Sequence, residues 1–435
     1  MTSRKLIAIG AAALNVNRVD TTSFYEIPGV VRNFQGGGSA SPLAEVAAFS
    51  PGFQFPSDWK LFLSAQYDLP FTWSEGWRVG FDFVGAKTNE GLYIRDTRAV
   101  PLTINGAQAR TPDGRIRYDG VNATAAQRAA AGVTSVSPGS SNRDLVFYNH
   151  DKGYAVVAAV SLSKSFDFGL DLTGSYTYQD IKDFSSSLRF SSTQSSSYQS
   201  PAGIDPNEPA YGTSYEEIEH GFKFEASYAR KFFGDLETRA TLFAERRDGR
   251  TTSFVMGDAT TGRGPVFGVN RGNNHMLYVP QISGGGGATG LDYGSVTFAD
   301  AATRDNFLRL VQQFDLPENQ ILEKGVYKNK PVNVVDLQFS QQLPSLIASH
   351  KFRVVLDIQN VLNLLNDEWG IVEEYTDVTN VVSVACANSA GAAVAAGSFD
   401  CSRYRYAHFN ASAFNKNINT GKSLWTIQVG LRYEF

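Results

Sequence analysis

Apolar and polar residues alternate strictly in several stretches of the chain. In the last stretch, 423–435, every second residue from Trp425 to Phe435 is apolar, and the residues between them are polar or small. Comparable runs place further strands at 58–69, 76–95, 145–164, 168–182, 219–232, 235–248, 331–342 and 350–361. A period of two is typical of strands with one apolar face. Runs of about ten residues are long enough to cross a bilayer as tilted strands.

The connections between these strands are alternately short and long. The long ones lie near 15–57, 96–144, 183–218, 249–330 and 361–422. Unstructured loops of this length count against a soluble domain, and the strands of a soluble β-sandwich are about half as long. Outer-membrane barrels combine short periplasmic turns with long surface loops. The pattern therefore predicts an all-β protein, a transmembrane antiparallel β-barrel of the outer membrane. We expect one domain over 1–435 with about ten long strands, the first at 3–14.

Composition excludes two other classes of protein. Lys and Arg number 39 and Asp and Glu 43, and this net charge of -4 gives no basic surface for a nucleic-acid partner. The mean hydropathy is -0.22. The sequence has no run of about 18 apolar residues, which excludes a helical membrane protein.

The two cysteines and the N-terminus each leave two interpretations open. Cys386 and Cys401 fit no zinc-site spacing; we predict that they form one disulfide inside the last long loop, as in an oxidising compartment, and two free thiols are the alternative. Residues 1–14 have a basic start and a short apolar core, which fits a signal peptide or a first strand.

Little in the sequence points to catalysis. The five histidines, His150, His220, His275, His350 and His408, show no paired spacing, so we predict no metal site. The glycine-rich segment 284–290 lacks the Lys-Ser/Thr of a phosphate-binding loop, and we expect a flexible surface loop there. No constellation of catalytic residues recurs, so we expect neither enzymatic activity nor a cofactor.

Charged residues lie on the inward phase of the alternation, and they are the candidate lumen-facing residues. They are Arg78, Asp82, Asp171, Lys223, Glu225, Glu237, Arg239, Asp336, Arg353, Asp357, Arg432 and Glu434. A water-filled or plugged interior tolerates such charges. That tolerance is one interpretation of these residues. The other is functional, and in it some of them contact a plug or line a path for the solute. Both interpretations need the same charged groups facing water.

Four segments resemble a known family. They are the stretch at 58–71, the turn at 231–237, the segment at 356–370 and the ending at 429–435. Together they resemble the C-terminal half of TonB-dependent outer-membrane receptors, especially the Oar-like group, over about residues 49–435. Asn360 and Asn363, followed by Asn366, are similar to the recurrent ending of that family's penultimate strand.

The resemblance implies a barrel of about 22 strands with a plugged lumen, preceded by a plug domain and a segment that contacts TonB. Nothing ahead of Phe49 resembles a plug, and ten strands are fewer than half of such a barrel. We therefore expect this chain to be the C-terminal portion of a larger barrel whose remaining part lies upstream. A smaller closed barrel is the alternative.

The resemblance also implies a function, active uptake of an unidentified solute across the outer membrane of a Gram-negative bacterium. The implied partners are outer-membrane lipid, the barrel-assembly machinery, the solute, and TonB, which would act through a plug absent from this chain. Tyr433 and Phe435 are similar to the family's assembly signal. A self-contained passive porin, or a surface adhesin or scaffold, are the alternatives.

Overall fold

The computed structural model describes residues 45–70, 76–139, 141–184, 198–258, 262–345 and 350–435. The structure is mostly β, with 49% strand and 9% helix. This confirms the all-β prediction at the level of secondary structure. The predicted first strand at 3–14 lies outside the described residues. No helix in the described ranges is both long and apolar enough to cross a membrane.

The elements are numbered in chain order. The first half contains β1 (Val46–Phe49), β2 (Ser57–Asp68), β3 (Trp77–Asp96), β4 (Thr103–Ile104), β5 (Ala107–Gln108), α1 (Ala125–Ala130), β6 (Asp144–His150), β7 (Tyr154–Ser165), β8 (Leu170–Asp183), β9 (Gly212–Thr213), β10 (His220–Phe233), β11 (Leu236–Arg247) and β12 (Thr251–Gly257). The second half contains β13 (His275–Met276), β14 (Tyr278–Val279), β15 (Asp292–Tyr293), β16 (Val296–Phe298), α2 (Ala301–Gln313), β17 (Gln320–Ile321), β18 (Tyr327–Lys328), β19 (Val332–Leu343), β20 (Lys351–Gln359), α3 (Val361–Leu365), β21 (Glu373–Glu374), β22 (Val378–Ala387), β23 (Arg403–Ala407), a 3₁₀ turn (Ala411–Phe414), β24 (Asn417–Ile418), α4 (Thr420–Ser423) and β25 (Thr426–Glu434).

Nine long strands form one sheet in which neighbours in the chain are neighbours in space. They are β2, β3, β7, β8, β10, β11, β19, β20 and β25, each antiparallel to the next. We call them the long-stranded sheet. Within the described ranges β2 and β25 do not pair with each other, so the sheet is open.

One predicted strand, at 145–164, is interrupted. Residues 151–153 separate β6 from β7, although both strands continue along β3 in one register. Gly153 has a φ of 130° and lies close to the Thr88 hydroxyl, so a side chain there would clash. The interruption lies where the sheet meets the rest of the molecule.

The long connections differ from the unstructured loops that the sequence suggested. Parts of them form a second sheet in the order β13-β12-β22-β23-β16-β15, with β18 also on β12. Helix α2 packs near this sheet and buries Phe307, Leu310 and Val311, which follow the spacing of one helix face. A single apolar core includes these residues together with Phe254 and Tyr406. We call this part, the described residues of 97–143, 198–219, 249–330 and 366–422, the loop body.

Candidate functional site

The twelve predicted lumen-facing residues lie on one face of the long-stranded sheet. Directly paired residues of neighbouring strands share a face, and the register can be followed from strand to strand. Arg78 pairs with Ser163, Asp171 with Ser165 and with Ser227, and so on to β25. When the register is followed through all nine strands, all twelve residues lie on the same side of the sheet. We call this side the polar face. Whether it faces a lumen stays a prediction.

Several charges on the polar face form ion pairs with each other. Arg353 Nη1 lies 3.0 Å from Glu237 Oε1, and Arg239 Nε lies 3.6 Å from the same carboxylate oxygen. Arg78 pairs with Asp68 at 2.7 Å, and Arg432 with Glu434 at 3.0 Å. These charges therefore pair with each other, both between strands and along a single strand, as expected of a polar surface in contact with water.

The carboxylates on the polar face differ in their partners. Asp82 accepts a hydrogen bond from the Ser64 hydroxyl at 2.8 Å, and Asp357 from the Gln338 amide at 2.7 Å. Asp336 accepts from the Asn360 backbone N–H at 2.7 Å, which ties the end of β20 to β19. Three further residues, Asp171, Lys223 and Glu225, are exposed.

The opposite face of the same sheet is apolar and exposed. Its large exposed side chains are Trp59, Leu61, Leu63, Tyr67, Phe81, Val160, Leu162, Phe222, Phe224, Phe339, Ile427, Val429, Leu431 and Tyr433. Trp59 is 72% exposed, Val429 70% and Leu431 69%. We call this side the apolar face. Its residues belong to none of the buried apolar clusters of the described protein. Exposed apolar surface of this extent is typical of a contact site for a protein or a membrane.

A cleft of about 790 Å³ lies where the long-stranded sheet meets the loop body. Lys182 of β8 and Lys152, in the interruption before β7, line it from the sheet. Asp205 and 319–324 line it from the loop body. Phe184 and Tyr278 form apolar parts of the wall. Its volume is within the range of sites that hold small ligands.

The acidic side chains of the cleft largely have partners. Asp205 accepts hydrogen bonds from the Tyr118 hydroxyl at 2.8 Å and from Arg95 at 3.4 Å. Arg95 also lies 3.5 Å from Glu208. Lys152 and Lys182 have no carboxylate within ion-pair distance in the described parts of the chain. The cleft therefore has ammonium groups available at its sheet side.

A fully buried ion pair lies at the wall of the cleft, inside the loop body. Arg115 Nη2 lies 2.5 Å from Asp113 Oδ2, and neither side chain is accessible to solvent. Burial alone would raise the pKa of the Asp113 carboxyl, but the adjacent Arg115 guanidinium lowers that pKa below its usual value. His275 is also fully buried, stacked on Phe267 at 4.0 Å. Burial, together with Arg115 and Arg271, holds the His275 pKa well below its usual value, so the ring is neutral.

The two cysteines, Cys386 and Cys401, form a disulfide. Cys386 lies in β22, and Cys401 precedes β23 by two residues; their Cα atoms are 4.6 Å apart. Arg117 lies beside it, with Nη2 3.8 Å from the Cys386 sulfur. The bond therefore links two neighbouring strands of the second sheet in the loop body.

Two terminal aromatic residues, predicted as an assembly signal, lie at the end of the sheet that carries the short turns. Tyr433 is on the apolar face and stacks on Phe352, with ring centroids 4.8 Å apart. Phe435 is 93% exposed. Their role in assembly stays a prediction.

One group of side chains has the geometry of a metal site. Glu219, His220 and Asp248 each offer one ligand atom within 4.8 Å of the others. The Lys328 ammonium lies against the Glu219 carboxylate and 3.5 Å from Asp248. Because this ammonium already supplies a positive charge there, the arrangement is an ion-pair cluster.

The glycine-rich segment predicted as a flexible surface loop forms an exposed turn. A bridge between Gly286 and Asp292 closes this turn. Its flexibility stays a prediction.

Sequence reasoning missed the cleft. Lys152, Lys182 and Asp205 come from three separate segments, and no local pattern links them. The one available signal was the interruption of an otherwise regular strand near Gly153. No family model matches the chain, and no curated protein shows significant similarity to it.

Proposed function

We propose that the chain is the barrel-forming part of an outer-membrane transport protein of a Gram-negative bacterium, which takes up a solute in a TonB-dependent manner. The observation that carries this proposal is the apolar face, which spans nine consecutive antiparallel strands. The family resemblance of the sequence supplies the dependence on TonB and the expected plug.

The size of the apolar face argues for lipid. Nine strands about 4.8 Å apart, each with about ten residues rising 3.3 Å, cover roughly 1,400 Å². The largest apolar patch on a typical soluble monomer is about 300–600 Å². A face of this size exposed to water would cause aggregation, whereas hydrocarbon covers it at no cost.

Aromatic residues lie at both ends of the apolar face, as they do at the interfaces of membrane proteins. Trp59 and Tyr67 lie eight residues apart on β2, and Trp425 and Tyr433 lie eight residues apart along β25. Eight residues extend roughly 26 Å along a strand, or roughly 20 Å of depth at a tilt of about 40°. The apolar band of outer-membrane proteins is about 25 Å tall. The short turns would then face the periplasm, and the loop body would face the outside of the cell.

The polar face favours transport over a purely structural role. Its charges pair across strands without excluding water, which suits the wall of a path for solutes. A surface adhesin is the second candidate, because the loop body has its own buried core and a disulfide. A folded body of this kind suits contact with other cells.

Gene disruption in the source organism tests the transport proposal. Growth of the disrupted strain on a panel of limiting nutrients should fail for at least one solute, and a strain lacking TonB should show the same failure. Uptake that persists after dissipation of the proton gradient would favour the passive porin. Normal growth on every nutrient combined with lost cell-to-cell adherence would favour the adhesin and refute the transport proposal.

A further inference from the structure

Three lysines gather at the end of the long-stranded sheet that joins the loop body. Lys87 of β3 pairs directly with Tyr154 of β7, and Tyr154 pairs with Lys182 of β8. Lys152 lies in the interruption between β6 and β7, beside this row. We call Lys87, Lys152 and Lys182 the lysine cluster.

The lysine cluster extends the apolar face. Trp59 of β2 pairs with Lys87, so Trp59, Lys87, Tyr154 and Lys182 form one row across four strands. All four side chains leave the sheet on the apolar side. Since Trp59 marks the end of the apolar band, the two lysines of the row lie at the level where lipid headgroups would begin.

The environment of the lysine cluster favours an anion. The Lys87 ammonium donates a hydrogen bond to the Asp151 backbone oxygen at 2.7 Å. Lys152 Nζ lies 5.1 Å from the centre of the Phe184 ring. Across the described ranges no carboxylate pairs with any of the three lysines. The exposed Glu323 carboxylate lines the same cleft, and it does not pair with any of the three ammonium groups.

One further carboxylate faces the row. Asp180 lies on the same side of β8 as Lys182, two residues nearer the middle of the strand. Its Oδ2 accepts a hydrogen bond from the Tyr154 hydroxyl at 2.9 Å. The Tyr154 hydroxyl therefore occupies one oxygen of this carboxylate, which forms no ion pair with the described lysines.

We propose that the lysine cluster binds the phosphate groups of lipid headgroups in the outer leaflet, with the adjoining cleft accommodating the headgroup. Lys87 and Lys182 are two strands apart, roughly 10 Å, so two phosphates can be bound side by side. The position on the apolar side argues for a lipid rather than a transported solute, which would follow the polar face. The inference rests on the proposed membrane location.

Lipid retention measures this binding directly. The full chain is reconstituted into nanodiscs of phosphatidylcholine with one tenth phosphatidic acid, and lipids that stay bound are counted by native mass spectrometry. Phosphatidic acid should be enriched on the protein above its share in the disc. A lysine near an anionic lipid surface contributes about fivefold in affinity. Lys87→Gln combined with Lys182→Gln should therefore lower the affinity for phosphatidic acid about 25-fold, which returns its bound fraction to about its share in the disc.

Controls separate the possible outcomes. Lys231→Gln changes an exposed lysine at the opposite end of the sheet and should leave the enrichment unchanged. Equal enrichment in the double variant would overturn the proposal. Saturable binding of glycerol 3-phosphate at the same lysines, without lipid enrichment, would assign the cluster to a soluble anion and also overturn it. A chain that does not enter the disc at all would refute the proposed membrane function instead.

Discussion

A single arginine on β25 distinguishes lipid from water on the apolar face. Val429 lies four residues from Trp425 and four from Tyr433, so it is roughly 10 Å deep from either end of the apolar band. It is 70% exposed, so its replacement breaks little packing within the protein. Val429→Arg should destabilise the membrane-inserted protein by about 2–4 kcal/mol, the cost of an arginine near the middle of a bilayer. In water the same substitution would change stability by at most about 0.5 kcal/mol.

The neighbouring residue provides a matched control. Gln428 is on the polar face, directly opposite Asp357 of β20, so Gln428→Arg places the same charge beside a carboxylate. Urea unfolding from phosphatidylcholine vesicles, followed by tryptophan fluorescence, gives the free energy of unfolding of both variants and the parent. The reasoning predicts a large loss for Val429→Arg and a change within about 0.5 kcal/mol for Gln428→Arg. Equal stability of the two variants would refute a lipid-facing assignment.

Three further predictions concern the loop body and the end of β20. Replacing Cys386 and Cys401 by serine removes a link across 15 residues and should cost the loop body about 3 kcal/mol; unchanged hydrogen exchange in β22 and β23 would contradict this. Asn360 has a φ of 51° and donates from Nδ2 to the Ser423 carbonyl at 2.7 Å, so Asn360→Ala should cost about 1–3 kcal/mol in thermal unfolding. Glycine adopts this backbone conformation without strain, so Asn360→Gly should recover only part of the stability that Asn360→Ala loses. Burial raises the pKa of Asp258 to about 6, so the folded state binds more protons than the unfolded state between about pH 4 and 6, and stability falls as pH rises through this window. Asp258→Asn should flatten that dependence in hydrogen exchange of the loop body, and an unchanged slope would count against it.

The long strands could be predicted because their two faces meet different surroundings. In β25, Ile427, Val429 and Leu431 leave one face, whereas Gln428 and Arg432 leave the other, and this difference is visible in the sequence as alternation. Cross-strand register then follows from the same pattern, since a slip of one residue would exchange the faces. The twelve charged residues share a face for this reason.

The loop body could not be predicted by the same reasoning. All seven residues of β12 are buried, including polar Thr251 and Ser253, because this strand is covered on both sides. Alternation is lost in such a strand, and a strand of only seven residues resembles any other short apolar run. Helix α2 carries an apolar face at Phe307, Leu310 and Val311, yet 13 residues inside a long predicted loop give a weak helical signal.

The cleft depends on tertiary contacts that no local pattern encodes. Lys182 and Lys152 both lie in predicted strands, but the structure interrupts the second strand at Lys152. Asp205 lies in a segment whose path is fixed only when the loop body packs on the sheet. Buried charges such as Asp113 and Arg115 were missed for the same reason, since a charged pair in a predicted loop is normally solvated.

In the proposed membrane location the two parts of the chain would lie in different solvents, with the lysine cluster at their boundary. The loop body gains its stability from an internal core, in which Phe254, Phe307 and Tyr406 are buried, and this core forms in water. The long-stranded sheet buries little between its own faces, and in the proposed membrane location lipid would cover its apolar face. Side chains at the boundary must therefore suit both media. Lysines fulfil this requirement, because their stems pack on apolar surface while their ammonium groups reach phosphates and water.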